Sequence, residues 1–335
     1  MYRYSILLVS GLLWTVLGSA QPKKYRFSEP KMGSAFPIII VCDDSLQAVV
    51  LAKKAYALVD SLNHIFSDYD PGSELNALNN TAGTGHQWKA SAALWDILMR
   101  SGEAWKKSGG AFDITMGPLS LLWRKARKEK QFPSKASVDA LRKLVGFGKL
   151  VIDTLHHSIQ LPVKGMRLDL GGIAKGHIAQ CVIDLLQHQG IAAALADAGG
   201  DMAMSDAPAG TAGWNLGVNT PETTEELLPR RLLLHNKAVA TSGDVYQYME
   251  HGGKKYSHII DPRTGYGINT QLNVTVIASN GADADWLATA CSILPITAAK
   301  KLAVQERAEL LVTELVNGKL VAHNTAGFAS FWKKE

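Results

Sequence analysis

The chain is short of the features that mark several large protein classes. It has three cysteines, Cys42, Cys181 and Cys291, too far apart for a CxxC or Cys/His metal pattern. An odd count leaves at least one thiol unpaired in an oxidising compartment. Cys181 and Cys291 fall in apolar helical patterns and read as buried, inert thiols. No dense Lys/Arg stripe accompanies the net charge of +5, so nucleic acid is not an expected partner. The densest basic run, Arg124 to Lys128, reads as a solvated helix face or loop. No GxGxxG follows a first strand, which excludes an ordinary Rossmann site. No nucleophile elbow or Ser/His/Asp order points to covalent catalysis. Beyond the N-terminus, no apolar run is long enough to span a bilayer.

What is present begins with a targeting pattern. Arg3 supplies charge, Ile6 to Leu17 are apolar, and Gly18-Ser19-Ala20 offers small residues before Gln21. This predicts a signal peptide over residues 1–20, cleaved near Ala20, and one functional unit over 21–335. An uncleaved anchor is the alternative, though the run is short for a span. No cysteine stands at the cleavage point, so no lipid anchor is expected. A soluble, exported, periplasmic protein follows.

The remaining 47% hydrophobic, 19% charged chain can bury a substantial core. Phe36 to Cys42 reads as a strand. Asp44 or Ser45 caps a helix to about Phe66, with Leu46, Val49, Val50, Leu62, Ile65 and Phe66 as its apolar stripe. Ser67 to Asn80 is a polar, turn-rich loop. Ser91 caps a second helix that stops at Gly109-Gly110. Residues 124–136 read as a basic surface connection, and Ser137 as the cap of a short helix. Leu150–Ile152 with Ser158–Leu161, Val245–Glu250 with Lys254–Asp261, and Leu310–Val316 with Lys319–His323 read as hairpins. Helices are expected behind Lys175 and over Ala284 to Leu294. Further strands are expected at Ile191–Ala196, Trp214–Asn219, Arg231–His235 and Asn273–Ala278. Hairpins among a few helices, without strict βα alternation, predict an α+β fold of mixed, largely antiparallel sheets packed with helices.

Four groups of residues suggest chemistry. Arg167 to Gly176 runs from a strand-like stretch through Gly171-Gly172 into Lys175 at a helix start, a place where backbone and cation can meet a phosphate. Asp169 there suits a ribose, a ring or the loop itself. Asp285 and Thr289 lie four apart on one helical face, an oxygen pair that suits magnesium, or equally a helix-start Asp and a back-bonded Thr. His258 can serve as a general base, beside an expected Asp261–Arg263 pair. Met32, Tyr69 and Phe112 can each stack on a planar ring, and each is also an ordinary core residue.

Taken in order, these segments resemble the FAD:protein FMN transferases, the ApbE or thiamine-biosynthesis lipoprotein family. The resemblance rests on Met32-Gly33, on Ser67 and Tyr69 with Ser73-Glu74-Leu75 and Leu78-Asn79, and on Gly110-Ala111-Phe112-Asp113 with Thr115 and Gly117-Pro118-Leu119. It continues with Leu168 to Gly176, Ala198 to Asp201, Ala240 to Asp244, Ser257 to Gly265, and Ala284-Asp285 with Ala288-Thr289-Ala290. It implies an ApbE-like, T-fold-related catalytic unit. It also implies that FMN moves from FAD to a threonine or serine of an exported acceptor flavoprotein, with release of AMP. Carried onto this chain, Met32, Tyr69, Ala111, Phe112, Asp113, Asp169, Lys175 and Ile260 would hold FAD. The Ala174 carbonyl, Asp285 and Thr289 would hold Mg2+, and His258 and Lys175 would be catalytic. The chain departs from the family in having Gln21 where many members carry a lipidated cysteine, and Ile114 where proline is usual. Two alternatives stay open: a metal-dependent FAD pyrophosphatase, and an FAD-binding protein without turnover.

Overall fold

The run Pro37-Ile38-Ile39-Ile40-Val41 has no polar side because the strand that carries it is covered on both faces. The computed structural model describes residues 22–219, 227–243, 248–270 and 272–334. The expected signal segment 1–20, Asp244 and the Val245–Gln247 part of an expected strand lie outside the described residues.

In chain order the strands are β1 (Lys23–Lys31), β2 (Ser34–Cys42), β3 (Trp88–Lys89), β4 (Val151–Asp153) and β5 (Ser158–Gln160). They continue as β6 (Ala193–Asp197), β7 (Met202–Met204), β8 (Trp214–Leu216), β9 (Leu232–Leu234) and β10 (Lys237–Gly243). The last are β11 (Tyr248–His251), β12 (Lys254–Ser257), β13 (Leu272–Ala278), β14 (Glu309–Val316) and β15 (Lys319–Asn324). The helices are α1 (Ser45–Phe66), α2 (Glu74–Asn79), α3 (Ala92–Lys107), α4 (Gly117–Glu129), α5 (Lys135–Arg142), α6 (Ala174–His188), α7 (Gly281–Ile293) and α8 (Ile296–Gln305).

One eight-stranded antiparallel sheet, ordered β1-β2-β6-β7-β10-β13-β14-β15, carries the structure. Alternation along each strand sends one set of side chains to each face. On the helix-covered face the central strands present Ala194, Ala196, Ala203, Ala238 and Ala240, small enough for α6 and α7 to lie close. The opposite face packs Leu195, Val239, Ile277 and Leu311 against the β8–β9 hairpin, Phe328 and Trp332. A third cluster joins α4 and α5 to the β11–β12 hairpin through Trp123, Val138, Met249 and Tyr256. The α+β, largely antiparallel expectation holds. Asn317 and Gly318, at φ 54° and 73°, close the last hairpin as expected.

Several local expectations do not hold. Arg167 to Leu170 is not a strand, because other partners take its backbone groups. Asn79 bonds both the N–H and the carbonyl of Leu168, Asp169 N donates to the Ile114 carbonyl, and the Arg167 carbonyl accepts from Gly117 N. Residues 124–129 are not a surface connection but the second half of α4, whose Leu119, Trp123 and Ala126 form a buried stripe at helical spacing. On α1, Leu46, Val49 and Val50 are exposed. The buried face is instead Ala48, Leu51, Ala52, Ala55, Tyr56 and Val59, with small residues where the helix meets the sheet. Ser134 rather than Ser137 caps α5, by accepting from Ser137 N. The strands β1, β7 and β10 and the helices α2 and α8 were not expected at all. All three cysteines are free. Cys181 is half-buried rather than buried, 3.6 Å from His177 Nε2, and burial pushes its thiol up to about 11.

Candidate active site

The site is organised by a crossing of two helix starts. A Cβ on Gly176 would collide with the Gly281 carbonyl, and a Cβ on Gly281 with the Gly176 carbonyl. Only glycine at both positions lets the first turns of α6 and α7 touch through backbone. Gly281 N donates to Gln180 Oε1 at 3.0 Å, and Gly176 N donates to Asp285 Oδ2 at 2.9 Å. Asp285 is thereby turned inward from α7, with Thr289 one turn further on. Gly172 completes the approach: a side chain there would meet Thr289 Oγ1 at 3.0 Å and the Phe112 ring at 3.2 Å.

Beside this crossing lies a cavity of about 950 Å³. It is lined by all the residues the sequence singled out: Met32, Tyr69, Ala111, Phe112, Asp113, Asp169, Ala174, Lys175, His258, Ile260, Asp285 and Thr289. They come from the β1–β2 turn, the loop after α1, the turn before α4, the glycine loop, the segment after β12, and α7.

The floor is strongly electrostatic. Burial pushes the Asp285 carboxyl up to about 6, against the opposing pull of the Gly176 N–H and Lys175. Asp201, also in the lining, is raised well above the usual range, first by burial and then by the Asp285 charge. Two neighbouring carboxyls, Asp285 buried and Asp201 partly buried, together with the Thr289 hydroxyl suit a small, hard cation, and so the residues present fit magnesium. Among the described residues, no group of three or more His, Cys, Asp or Glu side chains is placed to hold a metal. Backbone, hydroxyl and substrate oxygens would complete the shell.

At the other end, Arg124 links two segments. Its guanidinium bonds Asp68 and, at 3.0 Å, Asp169 Oδ2, and it lies 4.1 Å from the centre of the Tyr69 ring. Burial works against its charge, but Asp169 and Asp68 outweigh that and make it a firmer cation than usual. Asp169 Oδ1 accepts from Gly171 N at 2.9 Å, so the carboxylate shapes the glycine loop as well as facing the cavity. Both Asp113 oxygens are engaged within the protein, by Thr115 N at 2.8 Å, Thr115 Oγ1 at 2.6 Å and Phe147 N at 3.0 Å. Its observed work is to tie the Thr115 turn to the Phe147 segment, while Ser108 holds the Ala111 and Phe112 amides. Tyr69 is 76% exposed, whereas Phe112 is buried and tilted on Trp286.

His258 is exposed at the cavity wall. The turn after it is tied down by Trp123 Nε1, which donates to the Gly265 carbonyl at 2.9 Å, and by the expected Asp261–Arg263 pair at 2.7 Å. Sequence reasoning gave no role to Ser34, Asp68, Arg124, Arg127 or Asp201, which also line the cavity. For the arginines the available signal was their i, i+3 spacing beside the Trp123 stripe.

Known proteins resemble this chain in sequence and in fold. A protein of Klebsiella pneumoniae (strain 342) described as an FAD:protein FMN transferase is 30% identical over 263 residues, 78% of this chain and 79% of its own length. The flavinyl transferase ApbE of Pseudomonas stutzeri superposes with a TM-score of 0.82 at 27% identity, covering 94% of this chain and 98% of that one. The flavin transferase ApbE of Vibrio cholerae gives 0.80 at 25% identity, covering 92% and 99%. The model of the ApbE family matches residues 32–312. Sharing that family's sequence pattern over most of its length and the fold of its solved members, the chain belongs to the ApbE family.

Proposed function

We propose that this protein is an FAD:protein FMN transferase that uses magnesium, moves FMN onto a threonine or serine hydroxyl of an exported acceptor flavoprotein, and releases AMP. The observation that carries this reading is the convergence of Lys175, Asp285, Thr289, Asp169, Tyr69 and His258 on one cavity. Its size is that of a pocket for a large ligand.

The residues divide the labour. Tyr69, Met32 and Phe112 offer faces for planar rings, with Ala111 and Ile260 as apolar walls. Asp169 offers a carboxylate to hydroxyl or ring N–H groups, and Lys175 faces the diphosphate. Asp113 contributes by fixing the chain just after Ala111 and Phe112, through Thr115 and Phe147. Asp285, Thr289 and the Ala174 carbonyl would hold magnesium, which when bound withdraws charge from phosphate oxygens. His258 takes the proton of the acceptor hydroxyl as its oxygen attacks the FMN-side phosphorus. One phosphoester bond forms, the phosphoanhydride bond to AMP breaks, and the electron pair leaves with AMP. Negative charge grows on the non-bridging and departing oxygens, where Lys175 is placed to stabilise it.

Flavin fluorescence that stays with the acceptor on a denaturing gel tests the transfer. His258→Ala should slow its appearance by about 10²–10⁴-fold, the usual worth of a positioned base, while FAD affinity stays within a few fold. A collapse of FAD affinity instead would make His258 a binding residue. The apolar N-terminal pattern supports export to the periplasm, and cell fractionation checks it.

A further inference from the structure

Ser34 opens β2 directly after the Met32-Gly33 turn. Both turn residues have positive φ, 53° at Met32 and 80° at Gly33, the left-handed pair that a two-residue hairpin turn requires. Methionine is a poor choice for that conformation, and such strain is kept where the surrounding structure enforces it. Met32, Gly33 and Ser34 all line the cavity, so the tip of this hairpin is a wall of the site.

The Ser34 hydroxyl oxygen is shut off from solvent, yet it makes no hydrogen bond among the described residues. A buried hydroxyl without a partner is destabilising. Its surroundings indicate the kind of partner. A Cβ on Gly199 would sit 2.5 Å from Ser34 Oγ and 3.9 Å from Lys175 Nζ. The hydroxyl and the ammonium therefore both lie against Gly199, at φ +75°, close enough together for one phosphate group to reach both. An O–H donor beside a lysine ammonium is the chemistry that binds a phosphate oxygen. Asp201 and Asp285 are the acidic neighbours of that ammonium.

We propose that Ser34 is a substrate-binding residue whose hydroxyl donates a hydrogen bond to an oxygen of the FAD diphosphate, the same group that Lys175 faces. This rests on the reading of the cavity as an FAD site. It gives the β1–β2 hairpin a task in binding, and it explains a hydroxyl that no group among the described residues satisfies.

The test separates the two claims. FAD titration of the full-length wild-type protein, followed by flavin fluorescence, must show saturable binding; its absence sinks the FAD reading itself. Given binding, Ser34→Ala should weaken FAD affinity by about ten- to hundredfold, the range for a hydrogen bond to a charged group. The melting temperature of the ligand-free variant should stay at or slightly above the wild-type value, because no hydrogen bond among the described residues is lost. An affinity within twofold of wild type overturns the proposal. So does a melting temperature several degrees lower, which would reveal a structural partner for the hydroxyl. Should the alanine variant fail to fold, Ser34→Cys keeps the volume while weakening the donor, and the same two readouts apply. In a Lys175→Ala background the effect of Ser34→Ala should shrink at least about threefold, as for two groups that share one partner. An undiminished effect there would overturn the shared phosphate.

Discussion

At the α6–α7 end of the cavity, backbone meets backbone: Gly176 and Gly281 touch, Gly172 lies against Thr289, and Asp285 is bonded to a main-chain N–H. At the Tyr69 end the contacts are made by long side chains. Arg124 reaches Asp68 and Asp169 and lies over a tyrosine that remains mostly exposed. The first end has almost no freedom to adjust, because a collision with a carbonyl cannot be relieved by a rotamer change. The second can be rearranged by rotating side chains at modest cost. This division suits the proposed chemistry. Charge that develops on phosphate needs donors and cations fixed beforehand, whereas a flat ring tolerates an adjustable platform.

The comparison predicts a graded set of losses. Asp285→Ala should have the largest effect, removing magnesium-dependent turnover by about 10²–10³-fold or more. Undiminished activity at low magnesium would take Asp285 out of the metal site. Gly176→Ala should come next. The added methyl must separate α6 from α7, costing roughly 1–3 kcal/mol of stability as overpacking. It should also lower activity by more than that loss accounts for, since Asp285, Thr289 and Lys175 all move with the helix starts. Thermal unfolding together with kcat/KM checks this, and a stable, fully active variant would contradict the rigid-end account. Arg124→Ala should have the smallest effect, a rise of about three- to tenfold in the Kd for FAD with kcat little changed, because ordering one side chain costs roughly 0.5–1.5 kcal/mol. An unchanged Kd would leave the Arg124 bridge without a role in binding.

The same contrast explains how much was legible in the sequence. The rigid end is written in local signals: a glycine pair before a lysine, and an Asp and a Thr four apart on a helix. Backbone contact needs glycine, and glycine is visible. The adjustable end depends on partners far apart in the chain, 56 residues from Arg124 to Asp68 and 45 to Asp169. Read locally, Arg124 is one basic residue in a basic run; Lys125 and Lys128 of that run are indeed on a solvated helix face, but the helix phase set by Leu119, Trp123 and Ala126 turns Arg124 toward Asp68 and Asp169. Strand β1 escaped notice for a related reason. Its sequence Lys23–Lys31 is charged and mostly exposed, as befits a sheet edge, and so it lacks an apolar pattern. Ser34 was hidden with it, since its place in the cavity depends on the hairpin that β1 makes with β2. The convergence of all the singled-out residues on one cavity was expected from the order of their motifs, and no single segment carried it.

The central claim is that one cavity both binds FAD and directs its FMN half to a protein hydroxyl. It is tested most directly by mixing the protein with FAD, magnesium and an exported flavoprotein domain as acceptor, then measuring AMP and acceptor-bound flavin in the same samples over time. The account predicts that the two rise together, one AMP for each flavin that stays on the acceptor after denaturation. AMP that accumulates with free FMN and an unlabelled acceptor would contradict it and make the protein a hydrolase.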